Sequence, residues 1–437
     1  MEASPKKELG LFDSTCIIVG IIIGAGIYET APTVAACMGS WWGTLAIWIV
    51  GGLLALAGAL CYAELATAYP REGGDYVYLS RGYGKWAGYM FGWSQLMIVR
   101  PGDIALMGFV FGRYASKLYP FAYSSMAYSA LAIILLTGIN IIGVKKGKWT
   151  QNILTSLKAA GLVFIVVAGI LAPGAQAGGE AGGETGGFNM GGLQLGLILV
   201  LFTYGGWNEM AYVAAEVKRP ERNIVRALVT GTATVMVLYI LVNSAFLHSL
   251  GYAKMANSQA VASDAIATVL PRIAGNAMSI LVCISTLGAA NGLIFTGARI
   301  SYAMGSEHTL FGRLGVWSKR FGTPVGALVL QGVLSLAIVV LAGSFVDTVL
   351  YTAPVFWLFI LATGVSVFVL RRKEPKIKRP YRVAGYPVTA VIFCASSAFM
   401  LYNCISYALE HKPKALGILL GALFAGAGVY FFTKARK

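Results

Sequence analysis

Two stretches of this chain place glycine where backbone, rather than side chain, could do chemistry. They are Ile22-Ile23-Gly24-Ala25-Gly26-Ile27-Tyr28 and Phe202-Thr203-Tyr204-Gly205-Gly206-Trp207-Asn208, each within a long apolar run. Residues with almost no side chain let a ligand approach the main chain closely. A helix that stops there and resumes leaves free carbonyls at the end of one half and free N–H groups, at a positive dipole end, on the other. The N–H end suits a carboxylate, and the carbonyl end suits an ammonium group. One pocket offering both is complementary to a zwitterionic α-amino acid. A lone Gly-x-Gly could equally serve close helix packing; the second break, carrying Trp207-Asn208, favours a ligand site.

Few side chains in the apolar runs are ionisable. Lys158 lies among Leu157, Ala159, Ala160 and Leu162, where a charge is costly and functional by default. It could carry a proton, or snorkel to an interface about two turns away. Arg100 and Asp103, spaced i, i+3, can face and neutralise one another. Glu29 follows the first break and Glu209 the second, so with Asp103 three acids lie near the expected pocket. They would suit a cationic substrate, or one could hold a proton. Glu64 and Glu216 are expected to pair with loop bases. His248, His308 and His411 are scattered at span edges. Cys16, Cys37, Cys61, Cys283, Cys394 and Cys404 fall in apolar segments without metal-ligand spacing. No metal, cofactor or enzymatic cluster is expected, and the absence of Gly-x-x-x-x-Gly-Lys argues against direct use of ATP.

The elements that must hold these residues follow from hydropathy. The 437 residues are 57% hydrophobic and 12% charged, with mean hydropathy +0.71, whereas soluble domains are about a quarter charged. Apolar segments of about 20 residues, enough to cross a bilayer, recur at 12–38, 42–69, 85–112, 124–143, 150–172, 192–215, 224–250, 272–304, 324–343, 346–370, 387–408 and 414–433. The expectation is an all-α integral membrane protein of twelve transmembrane helices in one domain, 1–437, and a soluble enzyme with one anchor is excluded. The breaks fall in spans one and six, in lipid, where a backbone leaving its helix survives only against protein or a cavity. Paired breaks at matching places mark a carrier's substrate site. If they open two repeats, these cover 12–172 and 192–370, five segments each, and an odd count inverts the second; helices within 387–433 lie outside.

Twenty-six of the 34 Lys and Arg fall on the side of the N-terminus, and six (Arg113, Lys117, Lys254, Arg272, Lys412, Lys414) on the other. That bias puts both termini in the cytoplasm of a multi-pass protein of the cell membrane. The net charge of +16 then needs no nucleic-acid partner. The Gly/Ala-rich 173–191, with Glu180 and Glu184, reads as a flexible outer loop, and the basic run 371–386 as a solvated topology determinant rather than a lipid-headgroup site. Lys6 and Lys7 precede an apolar run too long for a signal peptide, so the run is expected to be retained. A channel or a membrane enzyme would need selectivity rings or a clustered His/Asp set, neither of which is visible.

Gly24-Ala25-Gly26-Ile27-Tyr28 resembles the Gly-Ser/Ala-Gly-Ile-Phe signature of the amino acid–polyamine–organocation superfamily. Phe202 to Asn208 with Ala215-Glu216-Val217-Lys218-Arg219-Pro220, Arg100-Pro101, and Gly288-Ala289-Ala290-Asn291-Gly292 through Arg299 are similar to its L-type amino acid transporter branch. The resemblance implies a leucine-transporter-type 5+5 inverted repeat with discontinuous helices 1 and 6 and alternating access. It implies a sodium-independent secondary carrier, an exchanger or proton-coupled, for neutral L-amino acids, with cationic amino acids or polyamines as the alternative. Substrate carboxylate would meet backbone at Ala25 and Gly26, and ammonium the carbonyls of Ile22, Phe202 and Gly205, with Gly24 and Ile27 also among the substrate-binding residues. Phe202 would be the gate, with Tyr204, Trp207 and Asn208 around the pocket. Lys158 would fill the place of a sodium ion bracing spans one and eight. Members joined to a heavy chain carry a cysteine after the third span; Lys117 to Ser125 has none, so no disulfide-linked partner is expected.

Overall fold

The computed structural model describes residues 5–174, 190–341, 345–411 and 413–433, so most of the 173–191 loop, with Glu180 and Glu184, lies outside the described residues. Helix follows helix: α1 (Leu11–Ile22), α2 (Gly26–Met38), α3 (Trp41–Ala68), α4 (Asp75–Tyr83), α5 (Lys85–Ser94), α6 (Arg100–Leu118), α7 (Ser124–Ile142) and α8 (Val144–Leu171). After them come α9 (Met190–Thr203), α10 (Pro220–Leu250), the short α11 (Tyr252–Asn257) and α12 (Val261–Ala267), α13 (Ala274–Glu307), α14 (Val325–Leu341), α15 (Phe345–Lys373), α16 (Val388–His411) and α17 (Pro413–Phe432). A π turn, Gln95–Val99, joins α5 to α6, and a 3₁₀ segment, Trp207–Glu216, follows the second break. Among the described residues the β structure is one isolated bridge, Leu9 to Val217.

Eight helical stretches are long and apolar enough to cross a membrane, and α1 with α2, bent by 49° at the first break, makes a ninth. Of the other three expected spans, α14 and the 14 residues of α9, which stop at the second break, are shorter, and the described apolar part of α17 is Leu416–Phe432. The third and fifth spans run past their expected limits, to Leu118 and back to Val144. The charges at 113–117 and 145–148 end the apolar run, and hydropathy alone stops with it. A helix instead continues until its backbone is capped; Gly143, at φ 154°, is where α8 begins.

One end of the bundle gathers the basic loops. There Leu9 N–H donates to the Glu216 carbonyl and Lys218 N–H to the Leu9 carbonyl, tying the N-terminal tail to the end of the 3₁₀ segment. Glu64 pairs with Arg371 and, at 3.5 Å, with Arg379; Arg81 pairs with Glu374; Lys148 binds Asp13 at 3.0 Å. Arg299 holds both Glu216 oxygens, at 2.7 and 3.2 Å, and both side chains are buried. Of the two acids expected to find loop bases, Glu64 meets Arg379 of a loop and Arg371 in the last turn of α15, whereas Glu216 meets a base buried inside α13.

A buried ion pair stripped of one partner leaves an unbalanced charge in low dielectric, a loss of roughly 3–5 kcal/mol. Arg299→Ala is therefore expected to lower the apparent melting temperature in detergent far more than Arg81→Ala, whose pair with Glu374 is partly solvated.

Candidate functional site

At the first break the carbonyls freed at the end of α1 are taken up by three other helices. Lys158, buried at the middle of α8, donates from Nζ to the carbonyls of Gly20 (2.7 Å), Ile23 (2.8 Å) and Ser285 (2.7 Å). An ammonium has three donors, and all are used. Snorkelling is thereby replaced by a cross-brace between α1, α8 and α13. Ser285 Oγ lies 3.0 Å from the Ile23 and Gly24 carbonyls, and the Tyr239 hydroxyl donates to the Ile22 carbonyl at 3.0 Å. Two glycines of α13 make the approach possible: a Cβ at Gly288 would lie 2.7 Å from Lys158 Nζ, and one at Gly292 2.3 Å from Ile21 Cγ1. Across the break, the N–H groups of Ala25, Gly26 and Ile27 at the start of α2 have no acceptor among the described residues.

The second break meets the first. α9 ends at Thr203, Gly206 turns the chain at φ 115°, and a Cβ there would lie 2.7 Å from Ile21 Cγ2. A Cβ at Gly26 would lie 2.9 Å from Thr203 Oγ1. Between them is a cavity of about 140 Å³, walled by Ile22, Gly24, Ala25 and Gly26 from one break, Phe202, Gly205, Asn208 and Glu209 from the other, Asp103 of α6, and Phe356 and Trp357 of α15. Three expected residues do not line it. Ile27 buries its side chain in the core, leaving only its N–H at the head of α2. Tyr204 donates to the Trp48 carbonyl at 3.1 Å, and Trp207 packs edge-on against Tyr62 and Phe393. Both rings point from the break into helix–helix contacts, since a turn sends successive side chains to different sides.

The acids divide three ways. Glu209 lines the cavity and is fully engaged, accepting from Arg100 Nη2 at 2.7 Å and Thr296 Oγ1 at 2.6 Å. Arg100 is thus the partner of Glu209 and not of Asp103: Gln95, in the π turn, binds its Nε at 2.9 Å, and the guanidinium lies over the Tyr212 ring at 5.0 Å, aiming it at the second break. Asp103 faces the cavity with no hydrogen-bond or ion-pair partner among the described residues. Glu29 is not in the cavity wall; it is ion-paired with Arg113 of α6, with the Tyr114 hydroxyl at 3.4 Å.

A family model of amino acid permeases matches residues 9–421. The chain belongs to the amino acid permease family. Along its length the permease is 33% identical over 436 residues to the b(0,+)-type amino acid transporter 1 of Mus musculus, covering 98% of this chain and 89% of that protein. It is 31% identical over 438 residues to the serine/threonine exchanger SteT of Bacillus subtilis, covering 99% and 98%. To the large neutral amino acids transporter small subunit 2 of Homo sapiens it is 31% identical over 440 residues, covering 98% and 80%. It is a multi-pass membrane protein that transports amino acids, and not an enzyme.

Several residues of the permease's site had no sequence signal. Tyr239 and Ser285 are ordinary polar residues of apolar helices, yet they cap the broken end of α1. From the cavity a hydrogen-bonded chain leads outward: Asn208 Nδ2 donates to the Tyr212 hydroxyl at 2.9 Å, which donates to Asp75 Oδ2 at 2.8 Å. Asp75 is wholly buried at the head of α4, and burial raises its pKa from 3.8 to about 7.

Gly26→Ala overpacks Thr203 and is expected to destabilise by roughly 1–3 kcal/mol. A Cβ at Gly24 meets nothing nearer than Met107 Sδ at 3.9 Å, so Gly24→Ala should melt like the parent while raising the apparent KM by filling the cavity. A folded-state pKa above the unfolded value means the native protein binds the extra proton, so Asp75 makes stability fall as pH rises from 3.8 to about 7. Asp75→Asn is expected to flatten the melting temperature against pH over that window.

Proposed function

We propose that the permease is a sodium-independent secondary carrier of α-amino acids that works by alternating access, with the breaks between α1 and α2 and after α9 as its substrate site. The observation that supports this is the ammonium of Lys158 on three main-chain carbonyls, a buried positive charge where a metal cation would otherwise brace the broken helix. Substrate carboxylate is read as binding the free N–H groups of Ala25, Gly26 and Ile27. Substrate ammonium is read as binding the Gly205 carbonyl, which has no donor among the described residues, and the Phe202 carbonyl, which has one, the Gly205 N–H. The Ile22 carbonyl serves less well than the sequence implies, since Gly24 N–H and the Tyr239 hydroxyl already occupy it. Phe202 is read as the gate.

Neutral L-amino acids are the proposed substrates. A cationic substrate, amino acid or polyamine, is the second reading, favoured by Asp103, the one carboxylate in the cavity wall without a partner among the described residues. We assign the inverted repeat to 12–172 and 192–370, both termini to the cytoplasm of a cell-membrane protein, and transport to this chain without a disulfide-linked partner, the segment from Lys117 to Ser125 carrying no cysteine.

Counterflow of labelled serine into proteoliposomes tests the reading. The same initial rate is expected in sodium and in choline buffers, with competition by leucine; uptake that needs sodium overturns it, and competition by arginine or putrescine alone supports the second reading. Lys158→Ala removes the one cation that joins the Gly20, Ile23 and Ser285 carbonyls and is expected to abolish counterflow, whereas full activity in that variant would remove the role assigned to Lys158.

A further inference from the structure

A second hollow, of about 510 Å³, lies at the loop-bearing end of the bundle, away from the cavity between the breaks. Three segments remote in sequence wall it: the tail ahead of α1, the turn from α7 into α8, and the turn at 317–322 ahead of α14. They contribute Lys6, Lys145, Lys146, Lys319 and Arg320 against a single acid, Glu8. Among the described residues none of these five cations has an ion-paired acid, although Lys148, Arg299, Arg371 and Arg379 at the same end each have one. Like charges around one hollow repel. A topology signal requires basic residues near the membrane, but it does not require three separate segments to aim them at one space. The head of α8 adds to the field: Gly143 at φ 154° opens the helix, and the N–H groups of Val144 and Lys145 have no acceptor among the described residues. Such a helix start, added to the cations, suits a phosphate.

What lies beside the hollow indicates which phosphate. Lys145, Trp149, Ile153 and Leu157 follow at intervals of four along α8, so they form one stripe. Trp149, Ile153 and Leu157 are exposed large apolar side chains, as is Ile142 at the rim of the hollow. The order is a cation, then an indole of the kind that sits at the headgroup level, then aliphatic surface. A dissolved phosphate uses only the first of these, and a phospholipid uses all three. We propose that this hollow binds the phosphate-bearing head group of an anionic phospholipid, with its acyl chains along the apolar stripe below Lys145. By joining the tail ahead of α1 to the turns beside α8 and α14, the lipid would hold together segments whose neighbours, α1 and α8, meet at Lys158.

The test uses the full chain in vesicles of phosphatidylcholine alone and of equal parts phosphatidylcholine and phosphatidylglycerol, read by melting temperature and by lipid retained in native mass spectrometry. The parent is expected to melt higher with phosphatidylglycerol and to retain it through delipidation. Lys319→Gln with Arg320→Gln is expected to weaken that retention roughly thirtyfold, from about fivefold per cation. Lys376→Gln with Lys378→Gln, which removes the same charge from exposed positions elsewhere at that end, is expected to retain the lipid as the parent does. If the first double variant folds poorly, Lys145→Gln with Lys146→Gln carries the same expectation. Equal retention by the hollow's variants, or equal loss in the control, overturns the site. Full protection by inorganic phosphate in phosphatidylcholine, with nothing added by phosphatidylglycerol, overturns the lipid.

Discussion

The structure depends on how one broken helix is kept from costing too much. Ending α1 at Ile22 frees carbonyls in a region with no water to receive them, and each unsatisfied group would cost several kcal/mol. Lys158, Ser285 and Tyr239 answer that need from α8, α13 and α10. Each solves a second problem at the same time: the charge of Lys158 is satisfied by carbonyl dipoles, so neither partner is left unpaired in the interior. Removing either side would strand the other. For that reason the break is a joint between four helices rather than a local irregularity.

Around that joint, glycine sets distances. Gly288 and Gly292 admit α8 and α1 to α13, Gly206 admits the second break to Ile21, and Gly26 admits Thr203. None of these contacts needs a special side chain; each needs the lack of one. The cavity is what remains between two main chains brought this close, and its walls are accordingly mostly backbone and apolar side chains, with Asn208, Glu209, Asp103, Thr203 and Thr352 as the polar exceptions. Glu209 is balanced by Arg100, so among the described residues the carboxyl group facing the cavity without a partner is that of Asp103.

From the cavity, polar connections run to the loop-bearing end. Asn208 reaches Asp75 through Tyr212, and the end of the 3₁₀ segment is fastened to the tail by the Leu9 bridge and to α13 by Arg299. The cavity and that end are therefore joined by hydrogen-bonded groups instead of by loose chain, a connection suited to the alternating access proposed above.

Hydropathy, charge bias and paired glycine breaks were enough, read from the chain alone, to establish an all-helical membrane protein, the position of its breaks and the exceptional standing of Lys158. Those properties are written in composition and spacing along one strand of chain. The partners were not legible. The i, i+3 spacing of Arg100 and Asp103 suggests a pair, but the π turn beside Gln95 and the arrival of Glu209 from far along the chain decide otherwise. Glu29 looks like a pocket acid until Arg113 is placed beside it, and Tyr204 and Trp207 look like pocket rings until the turn directs them at Trp48 and Phe393. Which way a side chain faces after a break, and which remote group meets it, are set by helix packing in three dimensions, and local sequence carries no record of that.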